Sequence, residues 1–278
     1  MTINSILLHA AAENCEPHRG PANYAVQLAR AFDAHLTALI FELDVALPRG
    51  AYGKRFVAEA RTTVTHRNEE AIKRARELHD AAQQAGVRAA MITDRSYAYT
   101  VPEVVVEHAR LRDLAVAGVD EFGLLNEHVI TEDILFQSGR PVIVVPKEQA
   151  TPFSCNRVVV AWDFGRTAAR ALGDAMPLLR KAGDVTLVTF GDDKQIDAGL
   201  SRDEVVTALG HRGVTSRFDK AERGSRTIGE AINNYAREHA ANLLVMGGYG
   251  HSRFREFVLG GATREILKNP TVPTLLSH

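Results

Sequence analysis

The sequence predicts an α/β fold built as two tandem open parallel-sheet domains with helices on both faces. Three observations carry this expectation. Short apolar runs alternate with stretches of helical periodicity, which implies βαβ crossovers and parallel pairing. The order of those runs occurs twice along the chain. The composition over 278 residues, 45% hydrophobic and 24% charged with a net charge of −1, is that of an ordinary globular chain with room for two domains.

Taken in order, SILLHAA (5–11) reads as the first strand, and ANYAVQLARAFDAH (22–35) has apolar residues at helical spacing. LTALIFEL (36–43) is a second strand. NEEAIKRARELHDAAQQAG (68–86) is strongly helical and ends at Gly86. VRAAMIT (87–93) is a third strand, VPEVVVEHARL (101–111) a helix, DLAVAGV (113–119) a fourth strand and RPVIVVP (140–146) a fifth.

The order then recurs. RVVVAWD (157–163) answers the first strand, TAARALGDAMPLLRKAG (167–183) is its helix, and DVTLVTF (184–190) is the second strand. TIGEAINNYAREHA (227–240) answers the helix at 101–111, NLLVMGG (242–248) the fourth strand and VPTLLSH (272–278) the fifth. Both helices open with Thr-x-x-Glu, Thr100 with Glu103 and Thr227 with Glu230, the pattern of a capping box. The boundary falls in PKEQATPFSCN (146–156), giving domains 1–150 and 151–278. The first copy carries about 25 extra residues between its first strand and its Thr-x-x-Glu helix, assigned to residues 47–66. It is also three residues shorter between its fourth and fifth strands.

The bulk properties exclude several classes. A net charge near zero gives no footprint for nucleic acid or an acidic membrane. No apolar run is long enough to span a bilayer, and the opening residues lack the basic leader of a signal peptide. The two cysteines, Cys15 and Cys155, have no metal-type spacing and fit a reducing, cytoplasmic setting. The eleven histidines form no His-x-x-His or His-Glu-x-x-His pattern. Neither a G-x-x-x-x-G-K-[ST] loop nor a G-x-S-x-G elbow occurs. No base, nucleophile and oxyanion set stands out, so no catalytic residue is assigned.

The most informative stretch is MGGYGHSRFREFVLGGATREIL (246–267). Ligands of open parallel sheets bind beyond the C-terminal ends of the strands. Here an apolar strand runs straight into Gly247, Gly248 and Gly250. Backbone N–H groups in such a turn can converge on an anion, and a following helix adds its positive end. Gly260 and Gly261 open that helix, and His251, Ser252, Arg253 and Thr263 could add side-chain contacts. A plain strand–turn–helix connection would use glycines too. Asp163 could be a ligand or a loop cap, and Trp162 a core filler.

Gly247-x2-Gly250-x9-Gly260, followed by a small residue, resembles the glycine signature of universal stress proteins, and nearly the whole chain looks like a tandem member of that family. The resemblance implies a Rossmann-like, adenine nucleotide α-hydrolase-like fold and ATP as ligand, with ADP, AMP and magnesium as variants. It implies phosphate contacts from Gly247, Gly250, Gly260 and Gly261, a place near the adenosine for Asp163, and a backbone position near Val188 facing the adenine edge. Gly261 departs from the family's Ser/Thr, and Phe164-Gly165-Arg166-Thr167 departs from its usual hydroxyl-bearing turn.

The leading expectation is a sensor or protective stress protein that binds ATP without catalysis. Its rivals are a slow ATP-hydrolysing or phosphoryl-transferring enzyme helped by His251 and Arg253, and a nucleotide-free partner-binding module. Only the second copy is expected to bind. The first has Asp120 and Glu121 in the equivalent loop Gly118-Val119-Asp120-Glu121-Phe122-Gly123, and no carboxylate matching Asp163. The apolar closing strands should pair the copies as an internal pseudo-dimer, with room for a further homodimer.

Overall fold

The computed structural model describes residues 2–9, 16, 18–44, 54–119, 125–190, 201–248 and 261–278. Among them the first half of the chain runs β1 (Ser5–His9), α1 (Gly20–Phe32), β2 (His35–Asp44), α2 (Lys54–Gln84), β3 (Ala89–Tyr97), α3 (Val101–Arg110), β4 (Leu114–Ala117), α4 (Glu127–Gln137) and β5 (Val142–Val144). The second half runs β6 (Arg157–Ala161), α5 (Arg166–Leu179), β7 (Asp184–Phe190), α6 (Arg202–Gly210), β8 (Ser216–Ala221), α7 (Ile228–Glu238), β9 (Leu243–Gly247), α8 (Gly261–Lys268) and β10 (Thr274–Ser277).

These strands form one sheet in the order β3-β2-β1-β4-β5-β10-β9-β6-β7-β8. Every neighbouring pair is parallel except β5 with β10. Read outward from the middle, both halves have the same strand order. Strands β4 and β5 are buried along their whole length, as expected of parallel strands covered on both faces. One face packs α1, α2, α5 and α6 around Ile6, Leu8, Val158 and Val160. The other packs α3, α4, α7 and α8 around Leu7, Val159 and Leu244. Both cores run across the two halves without a break.

The junction has pseudo-twofold logic. Leu275 pairs with Ile143, while Thr274 pairs with Val144 and Leu276 with Val142. Equivalent residues of the repeat therefore meet at the axis, as in an isologous dimer contact. Ile143 and Leu275 are fully buried, each contributing roughly 1.5–3 kcal/mol relative to exposure.

Several boundaries differ from the sequence reading. β1 is described over Ser5–His9, the last two residues of the expected strand lying outside the described regions, and β3 continues to Tyr97. The extra length of the first half is chiefly a longer helix: α2 has 31 residues where α6 has 9. Ala71, Ala75, Leu78 and Ala82 seat α2 on the sheet, and Asn68 hydrogen-bonds both the N–H and the carbonyl of Leu43 in β2. Strand β8 and helix α6 lack a strong apolar signature. β8 is a half-exposed edge strand with sequence SRFDKA, and α6 buries only Val205 and Leu209.

The two Thr-x-x-Glu motifs also part company. Thr227 and Glu230 form the full capping box on α7. Thr100 does not cap α3, because its own backbone is already in the helical region and its hydroxyl donates back to the carbonyl of Tyr97. An N-cap side chain reaches its target N–H from an extended backbone, the geometry Thr227 has and Thr100 lacks.

Candidate functional site

In the second half the strand order changes direction between β6 and β9, and it is beyond the C-terminal ends of strands at such a point that open parallel sheets bind ligands. Ala161 pairs with Met246, so Trp162 and Asp163 leave β6 level with Gly247 and Gly248 leaving β9. The Trp162 N–H donates to the carbonyl of Val188 at 2.9 Å. Asp163 accepts the Gly165 N–H on Oδ1 at 2.8 Å, and Phe164 between them sits at φ 58°. That turn delivers the chain into α5 with Gly165 at the N-cap. Asp163 thus shapes the turn, and its half-buried carboxylate stands where the free N–H groups of α5 begin.

Gly247 lies against the first turn of α5. A Cβ there would be 2.5 Å from the Ala168 nitrogen and 2.6 Å from Thr167 Oγ1. No side chain fits, so this glycine is required by strand–helix contact whether or not a ligand binds. Gly248 meets the other half of the chain: a Cβ would be 2.8 Å from the Leu135 side chain of α4.

Of the residues the sequence singled out, Asp163, Val188, Gly247, Gly261 and Thr263 lie within the described regions. Gly250, His251, Ser252, Arg253 and Gly260 lie outside them, as do Asp120, Glu121, Phe122 and Gly123 of the first half. Val188 is buried in β7 and its carbonyl is engaged by Trp162. Gly261 begins α8 in open space. Thr263 is buried on α8. Its counterpart by register, Thr131, donates to the carbonyl of Gly118 at 3.0 Å and ties α4 to the end of β4.

Sequence reasoning missed two features. Trp162, Phe164 and Phe218 form an aromatic row beside the turn, with the Arg202 guanidinium 5.7 Å from the Phe218 ring. The Trp162 indole nitrogen is buried without a hydrogen-bond partner among the described residues. The aromatic residues flanking Asp163 in AWDFG were the available signal.

The equivalent crevice of the first half is floored differently. His9 ends β1, is 1% exposed, and has no hydrogen-bond partner on either ring nitrogen among the described residues. Its ring lies 5.8 Å from that of Phe41. Burial, with a smaller push from the Arg67 charge, lowers its pKa to about 4, so the ring is neutral at physiological pH. Among the described residues no group of three or more histidines, cysteines or carboxylates could hold a metal ion. Cys155 is a buried free thiol whose pKa burial raises. No described helix is long and apolar enough to cross a membrane.

Comparison with known proteins agrees with this geometry. A sequence model described as "Universal stress protein family" matches residues 155–278. A universal stress protein of Synechocystis sp. is 29% identical over 150 residues, covering 52% of this chain and 49% of that protein. The chain thus spans about half the length of the curated relative it matches. Among solved structures, a universal stress protein from Archaeoglobus fulgidus superposes with a TM-score of 0.69 at 19% identity, covering 100% of this chain and 99% of the other. A protein of unknown function from Pseudomonas aeruginosa gives 0.53 at 14% identity, covering 99% and 92%. At these identities the two structures bear on fold alone.

Proposed function

We propose that this chain is a tandem universal stress protein that binds ATP in its second half and acts as a stress-response sensor or protective factor, a reading supported by the match of residues 155–278 to that family's model. The single observation that carries the proposal is the crevice between β6 and β9. There, the first turn of a 14-residue helix, the Asp163 turn and a glycine that tolerates no side chain converge at the switch point of a parallel sheet. A helix N-terminus in that position favours a phosphate. The spacing Gly247-x2-Gly250-x9-Gly260 supplies further backbone donors in sequence. The match to the family over these residues supports ATP rather than an unrelated anion.

The first half supports a nucleotide-free reading of its own crevice. A neutral, buried imidazole beside Phe41 ends β1 where Ala161 ends β6, the sequence has Ala11 at the position answering Asp163, and it puts Asp120 and Glu121 in the loop after β4. One nucleotide per chain is therefore expected. Titration calorimetry with ATP and magnesium, followed by chromatography of the nucleotide after prolonged incubation, tests both points. Binding near one equivalent with ATP recovered intact supports the reading. Accumulating ADP would make the protein an enzyme, and two equivalents would refute the asymmetry. Gly250→Asp and Gly260→Asp should each abolish binding while leaving circular dichroism unchanged, since a carboxylate about 4 Å from a phosphate opposes it by roughly 1–4 kcal/mol.

A further inference from the structure

Strand β3 closes one end of the sheet, and among the described residues no strand lies beyond it. Its register with β2 is unbroken from Leu36 opposite Ala89 to Asp44 opposite Tyr97. In a parallel ladder a residue sends its N–H and C=O to the same neighbour, and the next residue sends both to the other side. The Leu36 N–H donates to the Arg88 carbonyl at 2.9 Å. The even-numbered residues of β3 therefore face β2, and Ala89, Met91, Thr93, Arg95 and Tyr97 turn their backbone groups outward. Met91 and Tyr97 are exposed, and Tyr99, just beyond the strand, is 74% exposed and stacks on Tyr97 with ring centroids 5.4 Å apart. This edge lacks the devices that usually blunt one. Its one outward cation, Arg95, is folded back onto Asp44 of β2 by bonds of 3.0 and 2.8 Å. The equivalent edge of the second half, β8, is shorter, has exposed Arg217 and Lys220, and shows no exposed large apolar side chain.

From this edge we propose that a second copy of the chain pairs with β3, antiparallel about a twofold axis at Thr93, so that one sheet runs through both copies. Outward-facing residues must meet outward-facing residues, so odd positions pair with odd. An axis at Thr93 sets Met91 against Arg95 and Ala89 against Tyr97 of the other copy, and uses the whole length of the strand. An axis at Asp94 would set the two Asp94 carboxylates directly across from each other, and one at Arg95 the two guanidinium groups; like charges so placed are destabilising. An axis at Ile92 would leave Tyr97 beyond the end of the other β3. At Thr93, Tyr97 also lies diagonal to Met91 of the other copy, within reach of a sulfur–aromatic contact. The two exposed apolar side chains thus cover each other twice in an isologous contact. The pairing needs no nucleotide and stands apart from the reading above.

Sedimentation velocity on the full chain over a range of concentrations is the test. The parent should show a monomer–dimer equilibrium that tends to twice the chain mass. Met91→Lys sets a lysine across from Arg95 of the other copy, twice per dimer, and should weaken association about tenfold. Met91→Glu sets an acid there and should leave association as strong or stronger, an opposite response that marks the register. Thr93→Pro removes the outward N–H at the axis and should abolish the dimer. Proline is tolerated on an edge strand whose N–H faces solvent, and circular dichroism checks that the fold is kept. Should Thr93→Pro not fold, the two Met91 variants still decide, since that side chain is already on the surface. A parent that stays monomeric at every concentration would overturn the proposal. So would a dimer indifferent to Met91→Lys, or one weakened equally by Met91→Lys and Met91→Glu.

Discussion

Lowering the pH should cost this fold stability through His9, and the size of the effect can be worked from its surroundings. The imidazole is 1% exposed, without a partner on either nitrogen, and its pKa is lowered from 6.5 to about 4. In the unfolded chain it takes up a proton near 6.5, whereas the folded protein resists protonation down to about 4. Between those values the unfolded state binds more protons, so stability is full above 6.5 and is lost as pH falls through the window. The full shift corresponds to about 3 kcal/mol and the portion reached at pH 5 to about 2 kcal/mol. The control is His9→Leu, which removes the titration and both unpartnered nitrogens. Replacing unpaired buried polar atoms with apolar ones is neutral or stabilising, so the variant should match or exceed the parent near neutral pH. Urea melts of both proteins at about pH 7.5 and pH 5 give the comparison. The stability difference should widen by about 2 kcal/mol in favour of His9→Leu at the lower pH. A difference that stays constant with pH would refute the argument, because the two proteins differ only at this side chain.

Three further outcomes follow from the packing. Thr227→Ala should destabilise by about 1 kcal/mol through loss of the α7 capping box, while Thr100→Ala, which removes no cap, should cost clearly less in the same melts; equal losses would contradict the different roles of the two threonines. Gly247→Ala should destabilise by roughly 1–3 kcal/mol or more, as overpacking does, since a Cβ would lie 2.5 Å from the α5 backbone; an unchanged melting temperature would mean that β9 and α5 separate easily. Residues 1–150 and 151–278 made separately should associate or aggregate through the exposed edges of β5 and β10, and two stable, indifferent monomers in size-exclusion chromatography would argue against the shared core.

Much of the architecture was legible because burial on both faces forces continuous apolar strands. Runs such as LAVA in β4 and LLVMG in β9 carry that mark in the sequence itself. The repeat was legible for the same reason: two copies that bury the same positions retain the same pattern. Elements that rest on partial burial were not legible. β8 and α6 lie at the sheet margin, where few side chains are buried and polar residues are tolerated. The Thr-x-x-Glu pair at residues 100–103 shows a local motif overruled by its backbone, since the sequence specifies the donor and acceptor but not the dihedral angles that bring them together.

At the candidate site the sequence determined the residue types and their spacing: glycines after an apolar strand, a carboxylate after the first strand of the second half, and no such carboxylate in the first. Only the tertiary structure decided what those residues press against. It made Gly247 a contact with α5, gave the Asp163 carboxylate the Gly165 N–H, and engaged the Val188 carbonyl with Trp162. It also set Leu135 and Phe136, more than a hundred residues away in sequence, against Gly248 and His278. Periodicity and motif spacing are local properties of the chain. Close contact between distant segments depends on how the two halves meet at β5 and β10, and no short-range pattern encodes it.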